Sequence, residues 1–365
     1  MNMRLGDTGR GTMRAADTAP MLDGRARARF HPVRVQSVVD ETADARTFVL
    51  AVPPGLESSF AYRAGQFVTV RVEIDDEAHL RAYSMSSTPG IDRDLRITVK
   101  RVPGGRVSNW LADNVRASDT LEVTPPAGSF VVPADAGDLV AYAAGSGITP
   151  VVSILAAELA EGDRRMSLLY GNRDRASTIF AWQLDQLAER HSSRLRVVHH
   201  FDVDAGFVTR AAVAAFVRSA AGTDHHHFVC GPDGFMATVE AALKENGVDS
   251  ARVHVERFTP AAPIGRGLET GPEATEREIT IRLGGRKVTV SHRPGTTVLQ
   301  SARFAGLGVP SSCETGSCAT CMARVLQGEA RMRNNEALTQ DEVADGWVLT
   351  CQAEPVTPSL SVIYE

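Results

Sequence analysis

The sequence predicts a multidomain chain: an antiparallel β-barrel, a doubly wound α/β domain and a small β-rich unit built around a cysteine loop. Three observations carry this. Short β runs with turn signals and no long helix extend from Pro32 to about Pro133, the texture of an antiparallel barrel. From Asp138 strands and helices alternate, which builds a parallel sheet covered on both faces. Near the end Cys313, Cys318 and Cys321 are spaced C-x4-C-x2-C, with Cys351 thirty residues further on. Four thiolates at that spacing suit a [2Fe–2S] cluster, three from one loop and one from a distant strand. Zinc sites favour paired C-x2-C knuckles, and Cys313 and Cys351 have no such partner.

Residues 1–30 read as a disordered tail, rich in Arg, Gly and Ala, or as sequence translated ahead of a later start at Met13 or Met21. The tail has no apolar stretch of the signal-peptide kind. The barrel is placed at 31–134; Phe48–Leu50, Phe67–Val72 and Leu95–Val99 are among its strands. The α/β domain is placed at 135–259. Its expected strands are Leu139–Ala144, Met166–Tyr170, Leu195–Phe201 and His227–Cys230, and its expected helices Val151–Leu159, Ser177–Arg190, Ala211–Arg218 and Met236–Glu245. Residues 260–277, rich in Pro and Gly with no apolar period, read as a linker. The cysteine-bearing unit occupies 278–365.

Bulk properties exclude several classes. A net charge of −5 gives no sign of nucleic-acid binding. No run of 18 apolar residues exists to span a membrane. Of five cysteines, only Cys230 lies outside the ligand pattern, which argues against a disulfide framework and for a reducing compartment, the cytoplasm.

Two further sites are legible. Arg81-Ala82-Tyr83-Ser84 ends a β run, and Gly105-Arg106-Val107-Ser108 opens a helical stretch at Asn109–Val115. A flavin needs an aromatic face, a cation for its phosphate and a helix N-terminus for its pyrophosphate. Tyr83 can supply the face, Arg81 the cation, and Ser84 a hydrogen bond near N5. Gly105 to Ser108 can offer N–H groups and a hydroxyl to phosphate. Then Ala144-Gly145-Ser146-Gly147-Ile148-Thr149-Pro150 lies between a buried strand and a helix. Its glycines let backbone approach a dinucleotide pyrophosphate, Pro150 suits the first helical position, and the Thr149 hydroxyl can bridge toward the flavin. Cys230-Gly231-Pro232 ends another strand and can hold a nicotinamide ring. Gly171-Asn172-Arg173-Asp174-Arg175 follows the second strand, at the ribose end, and Arg173 and Arg175 stand where a 2′-phosphate would sit. The histidines at 199, 200 and 225–227 invite a metal reading. Consecutive histidines on a strand point to opposite faces, however, and are read as packing residues.

These motifs, with Val-His-Val-Glu256-Arg-Phe258 before the linker, resemble in content and order the ferredoxin–NADP⁺ reductase family carrying a C-terminal plant-type ferredoxin. The closest look is to the reductase components of 3-ketosteroid 9α-hydroxylase and of phenylacetyl-CoA epoxidase. The resemblance implies a β-grasp ferredoxin domain, FAD rather than FMN, NADH or NADPH, and a [2Fe–2S] cluster on the four cysteines. It implies catalytic roles for Ser84 and Glu256, and cofactor contacts that include Ala82, Val99, Asn172 and Phe258. It implies a monomer that binds neither nucleic acid nor membrane and partners a terminal oxygenase, of Rieske or diiron type. NAD(P)H gives two electrons as hydride, FAD accepts them, and the cluster passes them on singly. A stand-alone NAD(P)H-dependent flavin and iron–sulfur oxidoreductase is the alternative reading. The resemblance points slightly to NADH, with both coenzymes used.

Overall fold

Alternating apolar and polar residues close the first unit. The structure, a computed structural model, describes residues 30–220, 224–258, 277–311, 313–314, 316, 318–335 and 337–364. The expected tail and linker therefore lie outside the described residues, apart from Phe30 and Arg277. Strands β1 (His31–Thr42), β2 (Ala45–Ala51), β3 (Phe67–Ile74), β4 (Glu77–Ser84), β5 (Leu95–Lys100) and β6 (Thr120–Val123) are joined by helix α1 (Arg106–Asn114) between β5 and β6. They pair in the order β4-β3-β6-β1-β2-β5, and a bridge from Met85 to Ile97 closes the sheet. Val33, Val35, Phe48, Leu50, Val68, Val70 and Ile97 fill the interior and are fully buried. Asp75 and Asp76, both at positive φ, make the two-residue β3–β4 turn.

The second unit is a parallel sheet of β7 (Leu139–Ala144), β8 (Met166–Asn172), β9 (Leu195–Phe201), β10 (His226–Cys230) and β11 (Val253–Glu256). Helices α2 (Ile148–Glu161), α3 (Ala181–Arg190), α4 (Asp202–Ala205), α5 (Arg210–Ser219) and α6 (Asp233–Glu245) connect them. The order is β11-β10-β7-β8-β9. β7 and β8 are buried almost end to end because helices cover both faces. Strand order reverses at β7 and β10, so the crevice beyond Ala144 and Cys230 is the place where such sheets bind ligands.

Two helices begin earlier than the sequence suggests, α1 at Arg106 and α2 at Ile148. Pro150 is thus the third residue of α2, still within the first turn, where its missing N–H costs no helical bond. α3 begins later, at Ala181. Asp174 takes the Ser177 N–H at 2.8 Å and closes a separate turn, and Phe180 enters the helix from a left-handed conformation.

Barrel and sheet meet over a packed boundary. Phe130 stands edge-on to Phe228 at 5.3 Å, and the Ser153 hydroxyl donates to the Ser87 carbonyl at 2.6 Å.

The third unit contains β12 (Arg277–Leu283), β13 (Arg286–His292), α7 (Val298–Phe304), β14 (Met322–Gln327), β15 (Ala330–Met332), α8 (Gln340–Ala344), β16 (Trp347–Leu349), β17 (Ala353–Pro355) and β18 (Ser359–Tyr364). The main sheet runs β13-β12-β18-β14-β16, with β12 and β18 parallel. Thr297 and Gln300 cap α7 reciprocally, and Leu299 and Ala302 bury that helix against Ile279, Ile281 and Val362. A helix held in the curve of a mixed sheet is the β-grasp arrangement expected.

Candidate functional site

The four cysteines meet at one place. Cys318, Cys321 and Cys351 are buried and Cys313 half-buried. The Cys313 N–H donates to Cys318 Sγ at 3.5 Å. The Thr350 hydroxyl donates to the Cys321 carbonyl at 2.7 Å, and the Tyr364 hydroxyl to Thr350 Oγ1 at 2.8 Å. Hydrogen bonding between the two thiols pulls Cys321 below its ordinary pKa and pushes Cys351 above it. The loop curls through positive φ at Glu314, Gly316 and Ala319. The need for glycine at 316 comes from the chain itself: a Cβ there would lie 3.0 Å from the Asn334 carbonyl oxygen and 3.1 Å from Gln352 Cγ. Four sulfurs, three from one turn and one from the β16–β17 connection, match the donor set a [2Fe–2S] cluster needs.

Beside this loop lies a cavity of about 210 Å³ bounded by all three units. From the barrel come Arg81, Ala82 and Ser84; from the end of the α/β unit, Glu256 and Phe258; from the third unit, Arg303, Cys313 and Glu314. Ser84 is 3 % exposed and its hydroxyl has no hydrogen-bond partner among the described residues. A buried orphan hydroxyl is costly unless a ligand completes it. Arg81 donates only to the Leu80 carbonyl, at 2.7 Å, and pairs with no carboxylate among the described residues. The N-terminus of α1 has no side-chain cap, which leaves its first N–H groups open to an anion. These features fit FAD.

Several expected contacts fall elsewhere. Tyr83 does not line the cavity; it packs against the barrel core. Val99 and Val107 pack in the barrel core. Arg106 pairs with Asp75 at 2.7 Å and Glu77 at 3.2 Å. The Ser108 hydroxyl accepts from the Val102 N–H at 3.2 Å, and a Cβ on Gly105 would lie 2.6 Å from that same oxygen. The Gly105–Ser108 segment therefore offers backbone N–H groups more than side chains.

At the sheet's carboxyl edge the two glycine-bearing turns touch. A Cβ on Gly147 would lie 2.2 Å from the Cys230 carbonyl oxygen, and one on Gly231 2.8 Å from the Phe235 ring. Gly147 thus makes room for the Cys230–Pro232 turn rather than for a ligand. Gly145 has φ +52, the left-handed region where glycine is at ease, and the Tyr170 hydroxyl donates to its carbonyl at 3.0 Å. The Thr149 hydroxyl turns inward to the Ser146 carbonyl, at 3.1 Å, rather than toward the barrel. Asn172 is buried, and both atoms of its amide lack a partner in hydrogen-bond geometry, its neighbour Tyr170 directing its proton to Gly145. Cys230 is fully buried, and burial pushes its thiol well up, which suits a packing role.

Arg173 meets Asp174 at 2.9 Å and Arg175 meets Asp185 at 2.7 Å. The Arg173 contact and the Ser177 amide hold the Asp174 carboxyl down to about 2. Two features escaped sequence reasoning. Lys100, at the end of β5, has its Nζ 3.7 Å from where a Gly145 Cβ would be; only the meeting of two domains brings them together. Asp202 directly follows β9, and the next N–H, of Val203, donates to the Arg173 carbonyl at 3.1 Å. The loops after β8 and β9 thus lie together. Of the histidines, His226 stacks on His254 with nitrogens 3.0 Å apart, and burial pushes His227 down to about 4.

The sequence matches, in order, families described as an oxidoreductase FAD-binding domain at residues 32–132, an oxidoreductase NAD-binding domain at 142–241 and a 2Fe-2S iron–sulfur cluster binding domain at 281–356. It is 40 % identical over 337 residues to the ferredoxin reductase component of 3-ketosteroid-9-alpha-monooxygenase from Rhodococcus rhodochrous, covering 90 % of this chain and 95 % of the relative. The chain belongs to the ferredoxin–NADP reductase family with a C-terminal [2Fe–2S] ferredoxin domain. A component of 1,2-phenylacetyl-CoA epoxidase from Escherichia coli K12 is 34 % identical to this reductase, over 92 % of this chain and 98 % of the relative. Among solved structures, phthalate dioxygenase reductase, described as a modular structure for electron transfer from pyridine nucleotides to [2Fe–2S], superposes with a TM-score of 0.57. It is 26 % identical, and the match covers 92 % of this chain and 98 % of that one. The reductase is an oxidoreductase whose cofactors are FAD, NAD(P)H and a [2Fe–2S] cluster.

Proposed function

We propose that this reductase is the electron-delivering component of a multicomponent oxygenase, drawing on NAD(P)H and passing single electrons to a separate terminal oxygenase. The observation that carries the reading is the shared cavity, lined by Glu256, Phe258, the cluster ligand Cys313 and Ser84. FAD supplies the exchange between two-electron and one-electron chemistry. This chain's residues bind and orient. Arg81 and the α1 N-terminus hold phosphate, Ser84 hydrogen-bonds the flavin ring, and Phe258 shields it from water. Glu256, beside Ser84, sets the charge there. The Gly145–Pro150 turn, Asn172 and Lys100 hold the dinucleotide, with its nicotinamide near Cys230–Pro232. The domain bounds 31–134, 135–259 and 278–365, a monomer, no nucleic-acid partner and a cytoplasmic place complete the reading. No described helix is long and apolar enough to cross a membrane.

Purified protein should show flavin and [2Fe–2S] absorption bands that NADH bleaches, and should support NADH-driven turnover by a Rieske or diiron oxygenase. A colourless protein sinks the reading. Bleaching without turnover by any oxygenase of a panel favours the stand-alone oxidoreductase.

Arg81→Ala should purify partly free of flavin with the cluster spectrum intact, since a charge-assisted arginine–phosphate contact contributes roughly 1.5–3 kcal/mol. Full flavin occupancy after gel filtration would count against the phosphate role.

Arg173 and Arg175 already have acidic partners, and Asp202 adds a carboxylate nearby. We therefore expect NADH to be preferred, with the NADPH-to-NADH ratio of kcat/KM little changed in Arg173→Ala/Arg175→Ala. A loss of NADPH efficiency by one or two powers of ten, about 1.4–2.8 kcal/mol, would reassign the pair to a 2′-phosphate.

A further inference from the structure

Arg303 sits in the last turn of α7, where a cation is favoured by the helix dipole. Its Nη2 reaches Glu314 Oε1 at 2.5 Å and Ser311 Oγ at 2.8 Å. One guanidinium therefore grips the chain on both sides of Cys313. Glu314 is fixed by more than this contact. Its side chain is only 11 % exposed, its φ is +57, and its carbonyl accepts from Gln352 Nε2 at 2.6 Å. Gln352 directly follows Cys351, so that bond ties the segment of the first cluster ligand to the segment of the fourth. Arg303, Ser311, Cys313 and Glu314 all line the cavity shared with Ser84 and Glu256.

A non-glycine residue in the left-handed region is disfavoured unless its surroundings hold it there. A carboxylate so covered needs its partner. The Gln352 bond holds the Glu314 backbone, and Arg303, from another element on the cavity wall, supplies the carboxylate's partner. We infer that Arg303 and Glu314 form a positioning clamp that holds Cys313 at the cavity wall and so governs electron passage from flavin to cluster. They act through Cys313 and are positioning residues. The inference rests on the electron-transfer reading above. Each NAD(P)H brings two electrons as hydride, and the [2Fe–2S] group accepts one per transfer.

The experiment uses holo-protein of wild type, Arg303→Gln, Glu314→Gln and Arg303→Lys, matched for flavin and iron content. Stopped-flow mixing with NADH reads flavin bleaching and cluster reduction separately, and redox titration gives the cluster midpoint potential. Hydrogen exchange reports on the amides of Ser311, Cys313 and Glu314. In both glutamine variants flavin bleaching should keep its wild-type rate, amide exchange should quicken, and cluster reduction should slow about ten- to hundredfold, as loss of close positioning does. Their midpoint potentials should move in opposite directions, because one variant removes a positive and the other a negative charge beside the cluster. Arg303→Lys, keeping the charge but replacing the planar guanidinium by a shorter, freely rotating ammonium, should fall between. Cluster reduction at the wild-type rate in both glutamine variants overturns the clamp. So does slowing in one and acceleration in the other, which would mark a purely electrostatic effect. If a variant cannot hold its cluster, faster or unchanged amide exchange in its cluster-free form, compared with cluster-free wild type, decides in the same two directions. Failure of wild-type NADH to bleach the flavin would instead strike the functional reading.

Discussion

Cys318→Ser should yield a protein that keeps its flavin and loses its cluster. Cys318 is buried, and its sulfur lies within reach of the Cys313 N–H and, at 3.2 Å, of Thr320 Oγ1. Serine preserves these small contacts but replaces a soft thiolate with a poor ligand for iron. Arg81, Ser84, Glu256 and Phe258 all lie outside the third unit, so flavin loading should not change. NADH oxidation with ferricyanide, which accepts electrons from flavin, should stay at the wild-type level. Reduction of cytochrome c, which draws from the cluster, should fall to background. Because bound metal contributes to folding of the unit that holds it, the third unit should also melt earlier while the other two do not. Equal loss of both activities would mean that the cluster is no separate relay.

Gly147→Ala should be the most damaging one-carbon change in the α/β unit. The backbone at Gly147, φ −63 and ψ −8, suits alanine, so conformation is no obstacle. Space is the obstacle. The new carbon would meet the Cys230 carbonyl oxygen at 2.2 Å, its carbon at 2.4 Å and the Gly231 nitrogen at 2.6 Å. These are backbone atoms at the end of β10, and no rotamer change relieves them. Overpacking against such a wall costs about 3 kcal/mol, which lowers the melting temperature by roughly 6–12 °C in a unit of this size. The KM for NADH should rise, because the two turns that would cradle the dinucleotide are forced apart. Gly234→Ala provides the control: a Cβ there meets nothing within 4 Å, and alanine inside a helix should leave stability equal or slightly higher. Equal melting of Gly147→Ala and wild type would refute the close approach.

The contrast between these glycines shows what the sequence discloses. Periodicity revealed the barrel, the parallel sheet and the cluster spacing, because each rests on local repetition. Motif chemistry put Arg81, Ser84 and the cysteines, and the family resemblance put Glu256 and Phe258, on segments that converge in space. The motif reading gave Gly147 to a pyrophosphate, whereas its nearest neighbours are the backbone atoms of Cys230 and Gly231. It also turned the Ser108 and Thr149 hydroxyls toward ligands, and both find internal partners. Tyr83 packs against the barrel core while Ser84 lines the cavity. Lys100 and Asp202 carry no local signal, since their relevance arises only where β5 meets Gly145 and where the loop after β9 meets Arg173.

In the third unit, the strand nearest the described C-terminus, β18, lies in the middle of the sheet, hydrogen-bonded to β12 on one side and β14 on the other. On the ribosome, where N-terminal units fold first, the flavin and nicotinamide units can complete themselves while this one still lacks its central strand. A chain halted before Ser359 would carry all four cysteines and both nucleotide-binding units, yet could not assemble the sheet that supports the iron ligands. Such a fragment would be a flavoprotein that consumes reducing power without an outlet. Iron–sulfur loading is therefore tied to the synthesis of β18, and truncation before Ser359 should uncouple coenzyme oxidation from electron delivery.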